Sequence, residues 1–221
     1  MSEATRVLYC EDAIEWLNKH EPQEGTSLVA SLPDISEFHG YTIEKWQDWF
    51  VQTAELVLSK TPDGGVTFFF QSDIKHERLW VDKGYLCQKA AERTGSKLLF
   101  HKILCRFAPE TRTFGRPAYS HLLAFSKKFL PDLSKSTPDV YASLGDKTWE
   151  RGMGAEACLL IGHFLKDETS IHTVINPFCG QGGLLAVANA LGLNAVGVER
   201  SPKRVELAKN LQFDLAKKKW I

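Results

Sequence analysis

The chain contains 221 residues, of which 43% are hydrophobic and 24% are charged, and its 27 basic residues equal its 27 acidic ones. This composition excludes a disordered or collagen-like chain and is typical of a single globular domain, and the balanced charge means that any surface for a polyanion would be a local patch. No apolar run approaches the roughly 20 residues of a membrane helix and the start lacks the apolar core of a secretory signal, so we expect a cytoplasmic or nuclear protein without a membrane partner.

The first half of the chain alternates between strand-like and helix-like periods, as βα units around a mostly parallel sheet do. The run VTFFF follows a Pro-Asp-Gly-Gly turn, and its continuous apolar character predicts a buried central strand. The predicted strands are 6–10, 26–32 and 66–70, and the predicted helices are 12–19, 42–60 and 82–94.

In the second half, two strand-like stretches lie close enough in sequence to pair antiparallel across an arginine-bearing loop. A polar segment with Pro131 and Pro138 follows and predicts a connecting loop. The predicted elements are strands 97–107 and 119–126, the loop 127–151, helix 154–166, strand 173–176, helix 182–191, strand 194–199 and a closing helix from 202 to about 217.

The most informative segment runs from Val174 to Ala208, where a strand enters a turn with three glycines and a second strand ends in Glu199. Glycines let the backbone approach a ligand, and an acid at the end of the next strand can accept hydrogen bonds from both ribose hydroxyls. The pattern therefore predicts a nucleoside-binding crevice. Tight packing of helix on strand, with no ligand, remains the alternative.

The turn, Asn-Pro-Phe-Cys-Gly-Gln-Gly-Gly, resembles the S-adenosylmethionine motif of the amino-methyltransferases that act on DNA and RNA, which reads DPFxGxGT or a close variant. The resemblance implies S-adenosyl-L-methionine as the cofactor and Glu199 as its ribose ligand. An amide replaces the usual acid at the first position and can still hydrogen-bond. The residues implied to line the cofactor in this turn are Asn176, Pro177, Phe178, Cys179, Gly180 and Gly182.

The N-terminal half is similar to the same family in its circularly permuted form, in which the target-binding motif precedes the cofactor motif. VLYCEDAIEWL places Asp12 at the adenine contact, SLVASLPD corresponds to the target motif, and GGVTFFF and SHLLAFSK follow. The resemblance implies an α/β, Rossmann-like seven-stranded methyltransferase sheet with permuted strand order and one antiparallel strand. Residues 1–150 would form the target-binding half and 151–221 the cofactor-binding half, with the first strand at the edge beside the last.

The target motif supplies the candidate catalytic residues Ser31, Pro33 and Asp34. In the family, the first side chain and the next carbonyl accept hydrogen bonds from an exocyclic amine, and an aromatic residue stacks on the base. Asp34 replaces that aromatic residue, and its carboxylate could act as a general base or an orienting group. A plain strand-ending turn in an inactive cofactor binder is the alternative.

The loop after this motif offers replacements for the missing aromatic residue. Phe38, His39 or Tyr41 could supply a stacking plane, and His39 is also a candidate for catalysis. A third contact region is expected before the helix at 154–166. There Gly152 and Gly154 could let backbone approach the methionine end of the cofactor, against the alternative of an ordinary helix start.

The length of the segment 127–150 bears on the substrate, because DNA enzymes of this order carry a target-recognition domain in this region and 24 residues are too few for one. We therefore expect RNA rather than DNA, with direct in-line methyl transfer. A methyltransferase for a protein or small molecule, and a degenerate subunit that stabilises a protein partner, are the alternatives. Candidate nucleic-acid contacts are Arg106, Arg112, Arg116, Lys127, Lys128, Lys217, Lys218, Lys219 and Trp220.

The sequence predicts no metal site. The five cysteines form no CxxC pair and the seven histidines form no HxxxH or His-Cys cluster, so we expect reduced, mostly buried thiols. Cys179 lies in the cofactor turn without the Pro-Cys context of a cytosine-C5 nucleophile, and it is predicted to have a packing role.

Overall fold

An eight-stranded sheet forms the centre of the computed structural model, which describes residues 4–221. Its strand order is β1-β10-β9-β2-β3-β7-β6-β8, and β7 alone runs antiparallel to its neighbours. Four further strands form two separate hairpins, β4 with β5 and β11 with β12. The strands of the described residues are β1 (Arg6–Tyr9), β2 (Thr26–Ala30), β3 (Thr67–Gln71), β4 (Ile74–His76), β5 (Leu79–Val81), β6 (Lys97–Cys105), β7 (Tyr119–Ser126), β8 (Val140–Tyr141), β9 (Thr173–Asn176), β10 (Asn194–Val198), β11 (Phe213–Asp214) and β12 (Lys219–Trp220).

Six helices cover the two faces of this sheet. One layer contains α1 (Ala13–Lys19), α2 (Ile43–Lys60) and α3 (Lys83–Thr94), and the other contains α4 (Ala155–Glu168), α5 (Gly183–Ala190) and α6 (Pro202–Asn210). Short 3-10 turns lie at Ile35–Glu37 and Leu133–Lys135. Within the described range, no helix is both long enough and apolar enough to span a membrane.

The strand β3 shows why the sheet is buried on both faces. Phe68 and Phe70 pack into the core under α4 and α5, whereas Phe69 packs into the core under α2 and α3. Successive side chains of a strand point to opposite faces, so a continuous apolar run requires a helical layer on each side. The prediction of a buried central strand is confirmed.

The predicted Rossmann-like sheet and the pairing of the first strand with the last large strand are also confirmed, since β1 pairs in parallel with β10. The sheet has eight strands rather than seven. The additional strand, β8, has two residues and pairs with the outer edge of β6 inside the segment predicted as a loop. A strand of two residues is too short to leave a period in the sequence.

Two hairpins were missed by the sequence analysis. Between β4 and β5, Glu77 and Arg78 both adopt positive φ, at 48° and 69°, although turns of this kind usually carry Asn or Gly. The closing helix ends at Asn210 rather than near 217. There the Arg6 guanidinium donates to the carbonyls of Ala208 and Leu211, at 2.8 and 2.7 Å, and the chain turns into β11 and β12.

We predict that Phe69→Ala lowers the free energy of unfolding by about 3–5 kcal/mol, because it leaves a cavity at a fully buried position. Phe114→Ala is the matched control: the side chain of Phe114 is 90% exposed, and its loss should change stability by less than about 0.5 kcal/mol. Urea unfolding measures both. Equal effects of the two variants would contradict the assigned core.

Candidate active site

A cleft lies along one edge of the sheet, where β1, β2, β3, β9 and β10 all end. Parallel strands bring their carboxyl ends to the same edge, and a crevice forms where neighbouring strands lead to opposite helical layers. Here that point lies between β9 and β2. Ser120 reaches the same edge because β7 is reversed and begins there, and Arg106 reaches it because it follows the carboxyl end of β6.

Most of the predicted site residues meet in this cleft. Gly154 and Gly182 are the two that do not line it. The predicted residues that do line it are Asp12, Ser31, Pro33, Asp34, Gly152, Asn176, Pro177, Phe178, Cys179, Gly180 and Glu199.

The glycine turn has two special positions. Gly180 has φ of 55° and faces the Trp149 indole, which lies 3.5 Å from where a Cβ would be. Gly182 has φ of 78°, and a Cβ there would approach Cβ of Ala208 on α6 to 2.7 Å. Gly180 thus leaves the cleft open, whereas Gly182 lies outside the cleft lining and lets α5 begin against α6.

Asn176 and Cys179 hold the turn from within. The Asn176 side-chain oxygen accepts a hydrogen bond from the backbone N–H of Phe178 at 3.2 Å, as a carboxylate at this position would. The Cys179 N–H donates to the carbonyl of Val198 at 3.0 Å and ties the turn to β10. Burial, with a smaller contribution from the nearby Glu199 charge, raises the pKa of the Cys179 thiol to about 12.

Glu199 follows β10 and is 8% exposed. Its Oε1 accepts a hydrogen bond from the Ser201 N–H at 2.9 Å and lies 3.6 Å from the Arg204 guanidinium. Both contacts fall on one oxygen, which leaves Oε2 available to a ligand hydroxyl. Arg204 in turn lies 4.5 Å from the centre of the Trp149 ring, so the carboxylate, the guanidinium and the indole form one wall.

The segment before α4 closes the cleft above the glycine turn. Gly152 lies against the Trp149 side chain, at 2.8 Å from a Cβ position, and its N–H donates to the carbonyl of Trp149 at 3.0 Å. Gly154 instead packs against the backbone of Leu144, where a Cβ would collide with the carbonyl oxygen at 1.9 Å. Arg151 reaches across the opening to Glu37 at 3.2 Å.

Asp12, predicted to contact an adenine, is the N-cap of α1. Its Oδ1 accepts hydrogen bonds from the N–H groups of Ile14 and Glu15 at 2.9 and 3.2 Å. These hydrogen bonds fix the carboxylate at the mouth of the cleft, and its second oxygen, Oδ2, takes no part in the cap.

The other end of the cleft is formed by the turn after β2, and its central feature is the carboxylate of Asp34. This carboxylate binds two cations: Oδ1 pairs with the Lys83 ammonium, and Oδ2 accepts from Arg116 Nη2 at 2.7 Å. The side chains of Lys83 and Asp34 are only 3% and 12% exposed. Trp46 Nε1 donates to the carbonyl of Pro33 at 3.3 Å and supports the turn from below.

A buried network holds Lys83 in place. Asp73 accepts from the backbone N–H of Lys83 at 2.8 Å, from Trp80 Nε1 at 3.0 Å, and pairs with His121 Nε2 at 2.9 Å. Burial alone would raise the pKa of the Asp73 carboxyl, but the His121 interaction and the other two hydrogen bonds outweigh it and lower that pKa. Asp73, Asp82 and His121 could share a metal ion by distance, although the Asp73 oxygens are already hydrogen-bonded.

Polar groups from β3 and β7 complete the end of the cleft beside the Ser31–Asp34 turn, which we call the acceptor end. The Gln71 side chain is 1% exposed, lines the cleft, and its amide nitrogen has no hydrogen-bond partner within residues 4–221. The hydroxyls of Ser72 and Ser120 pair with each other at 2.6 Å. A buried amide without a partner is a group that a ligand could satisfy.

Phe38 is the member of the predicted stacking residues that lines the cleft, and the Trp49 ring lies 4.4 Å from it. Tyr41 packs behind Phe38 at 5.1 Å, and His39 is exposed outside the cleft. The structure therefore does not bring His39 to the predicted site of catalysis.

Of the predicted nucleic-acid contacts, Arg106 and Arg116 line the cleft. Trp220 lies outside the cleft, where it packs on Phe213 and near Gly183. The remaining positions are exposed or form surface pairs: Arg112 and Lys219 are exposed, Lys127 and Lys128 pair with Asp63, Lys217 pairs with Asp214 and Lys218 with Glu156.

Several residues of the site were not foreseen, and four of them are central to it. Trp149 lies in the segment predicted as a polar connecting loop, and Arg204 lies on α6, inside the informative segment but without a predicted role. Lys83 and Gln71 are a basic and an amide residue, and they are significant because both are buried in the cleft. A lysine at the start of a helix and a glutamine at the end of a strand carry no distinctive sequence pattern, so only the tertiary structure shows them.

The comparisons show the fold. The chain matches a candidate DNA modification methylase from Thermus thermophilus complexed with S-adenosyl-L-methionine, with a TM-score of 0.70, 19% identity, and 93% of this chain and 92% of that chain covered. It matches the PvuII cytosine-N4-specific DNA methyltransferase with a TM-score of 0.70, 16% identity and coverage of 94% and 86%. It matches M1.HpyAVI in complex with S-adenosylmethionine with a TM-score of 0.58 and 15% identity, and the match covers 93% of this chain and 98% of that chain.

No protein-family model and no curated protein sequence matches the chain. The structural similarities nevertheless extend over nearly the whole length of this chain and of each neighbour. The chain therefore has the Rossmann-like fold of these methyltransferases, as the resemblance in its motifs implied.

We predict that Asp34→Ala lowers the free energy of unfolding by about 3–5 kcal/mol, because it leaves the buried Lys83 ammonium without its carboxylate. Replacing both partners, as Asp34→Leu with Lys83→Met, should recover much of this loss, because neither charge is then buried. Urea unfolding of the single and double variants measures the difference. A single variant as stable as the wild type would contradict the ion pair.

We also predict that Cys179 resists alkylation at pH 8, where a thiol with a pKa of about 12 is ionised to only about one part in 10⁴. Cys10 is exposed and should react first. Iodoacetamide labelling followed by peptide mass spectrometry measures both rates, with Cys10→Ser as the control. Labelling of Cys179 as fast as Cys10 would overturn the buried, protonated thiol.

Proposed function

We propose that the protein is an S-adenosyl-L-methionine-dependent methyltransferase that acts on an amino group of a nucleic-acid base. The observation that carries the proposal is the arrangement of the cleft. The open glycine turn at Gly180 and the carboxylate of Glu199 lie on one side of the β9–β2 crossing, and the Ser31–Asp34 turn lies on the other. A nucleoside site and a hydrogen-bonding acceptor site therefore share one crevice.

The residues present fit the cofactor. Glu199 Oε2 is free to accept hydrogen bonds from ribose hydroxyls, while Oε1 is held by Ser201 and Arg204. Gly180 has no side chain to obstruct approach to the turn, and Trp149 and Phe178 provide apolar surface. The turn offers no glycine-rich phosphate cradle of the GxGxxG type, which agrees with a cofactor that has no phosphate. When bound, S-adenosylmethionine supplies an electrophilic methyl group.

The Ser31–Asp34 turn, which we call the acceptor turn, positions an amine. The Ser31 hydroxyl and the Leu32 carbonyl can each accept a hydrogen bond from an exocyclic amino group, which would leave the nitrogen lone pair free for in-line attack. Leu32 is 3% exposed, and Trp46 braces the turn through the carbonyl of Pro33. The protein then contributes orientation and exclusion of water rather than a covalent intermediate.

The position of Asp34 changes the role assigned to it. Its carboxylate is held by Lys83 and Arg116, so it orients those two cations rather than accepting a proton. Phe38 and Trp49 supply the aromatic surface on the acceptor side that the family takes from this position. Asp34 is therefore proposed as a positioning residue.

DNA is the substrate to assay first, because one structural neighbour is described as a DNA methyltransferase and another as a DNA modification methylase. The preference for RNA rested on the shortness of the segment 127–150, and the comparisons give it no support. A chain without room for a target-recognition domain can still act on single-stranded or flipped bases, which are accessible without groove reading. RNA is the second arm of the assay.

We predict micromolar binding of S-adenosyl-L-methionine that Glu199→Ala weakens by about tenfold to a hundredfold, the effect of losing charged hydrogen bonds to ribose. Glu206→Ala is the matched control, because Glu206 is exposed on α6 outside the cleft. Isothermal titration calorimetry measures all three proteins. Equal affinities for the two variants would remove the assigned cofactor site.

We predict that tritiated methyl groups are transferred to nucleic acid, and that Asp34→Asn lowers the turnover number by about tenfold or more while leaving cofactor affinity unchanged, because it loosens the two cations at the acceptor end. Double-stranded DNA, single-stranded DNA and RNA form separate arms. Transfer to protein or small molecules alone would replace the nucleic-acid assignment. Cofactor binding without transfer to any fraction would indicate the catalytically degenerate partner subunit.

A further inference from the structure

The acceptor end of the cleft contains a group of three cations, of which the proposed function uses only Arg116, through its pair with Asp34. Arg106, Arg116 and Lys147 all line the cleft. The loop that joins β6 to β7 supplies both arginines, and the segment before α4 supplies the lysine. Three positive side chains from two separate segments therefore face one opening.

Arg106 lacks a partner where one is needed. Its Nη1 atom is buried and has no hydrogen-bond partner within residues 4–221. Nearly all buried polar groups are hydrogen-bonded, and an unpaired guanidinium donor is more costly than a neutral one.

The carboxylate of Asp34 does not supply the missing acceptor. Asp34 already binds the Lys83 ammonium through one oxygen and Arg116 Nη2 through the other. Lys147 donates to the backbone carbonyl of Glu150 at 2.6 Å, which satisfies a hydrogen bond without neutralising the charge. The cations at this end of the cleft are Lys83, Arg106, Arg116 and Lys147, and the carboxylates beside them are Asp34 and Glu150, so positive charge is in excess.

The cations also act on one another. Burial and the neighbouring Arg116 charge lower the pKa of Arg106. Burial and the charges of Arg106 and Arg116 likewise lower the pKa of Lys147. Groups that repel each other in the free protein are relieved when an anion binds among them.

We propose that Arg106, Arg116 and Lys147 form a phosphate-binding subsite at the acceptor end of the cleft. A guanidinium presents a planar fork of donors that matches two oxygens of a phosphate, and Arg106 has a donor free for this purpose. The subsite rests on the proposed function and deepens it: the substrate is a nucleotide whose phosphate is bound beside the base to be modified.

The phosphate can belong to a nucleic-acid strand or to a free nucleotide, and binding experiments separate the two. The probes are short single-stranded DNA and RNA oligonucleotides of mixed sequence with a fluorescent label, followed by anisotropy over a range of salt concentrations. Adenosine monophosphate is the competitor. If millimolar adenosine monophosphate displaces the labelled oligonucleotide, the subsite is assigned to free nucleotides. If the monophosphate does not displace the oligonucleotide, the subsite is assigned to a nucleic-acid strand.

For Arg106→Gln we expect a several-fold loss of oligonucleotide affinity and a salt slope reduced by about 0.7, the contribution of one single-stranded phosphate contact. Lys147→Gln should act in the same direction. Arg93→Gln is the matched control, because Arg93 is exposed on α3, pairs with Glu55 and lies outside the cleft. Thermal unfolding confirms that each variant is folded.

Equal affinities and salt slopes for Arg106→Gln and Arg93→Gln would overturn the subsite, as would the failure of the wild type to bind any of the phosphate probes. Titration with S-adenosylmethionine distinguishes this failure from that of the proposed function, since Arg106→Gln should bind the cofactor as the wild type does. A wild type that binds oligonucleotide through Arg106 but not the cofactor would support the subsite and refute the methyltransferase.

Discussion

The reversed direction of β7 is the constraint on which the composition of the cleft depends. In a fully parallel sheet, the residues at the start of this strand would lie at the opposite edge from the carboxyl ends of β2 and β3. Because β7 is antiparallel to both its neighbours, Ser120 and the β6–β7 loop lie beside the acceptor turn. The sheet thereby adds hydroxyl and guanidinium groups to a crevice whose cofactor end follows the general rule for parallel strands.

A second constraint is the buried carboxylate of Asp34. Charges are buried in proteins when they are paired, and here one carboxylate pairs with two cations from different segments of the chain. The pairing ties the turn after β2 to the start of α3 and to the β6–β7 loop. It makes the acceptor end polar where an aromatic residue would have made it apolar, and Phe38 and Trp49 lie nearby to provide a stacking surface.

Much of the fold was predictable because its signals are local. The VTFFF run, the glycine turn and Glu199 each have a pattern that indicates buried strand, tight turn and strand-end acid, and the structure places all three as expected. The hairpin at Glu77 and Arg78 was missed because it has positive φ without asparagine or glycine. Trp149, Lys83 and the pairing of Asp34 depend on contacts between distant segments, which no local pattern reports.

The central claim is that Gly180 and Glu199 form a site for S-adenosyl-L-methionine beside the acceptor turn. The most direct test is a crystal structure of the protein with S-adenosylhomocysteine. The account predicts the ligand over the glycine turn, with its ribose hydroxyls within hydrogen-bond distance of Glu199 and its sulfur facing the Ser31–Asp34 turn. A ligand bound elsewhere, or a cleft that stays empty at saturating ligand, would contradict it.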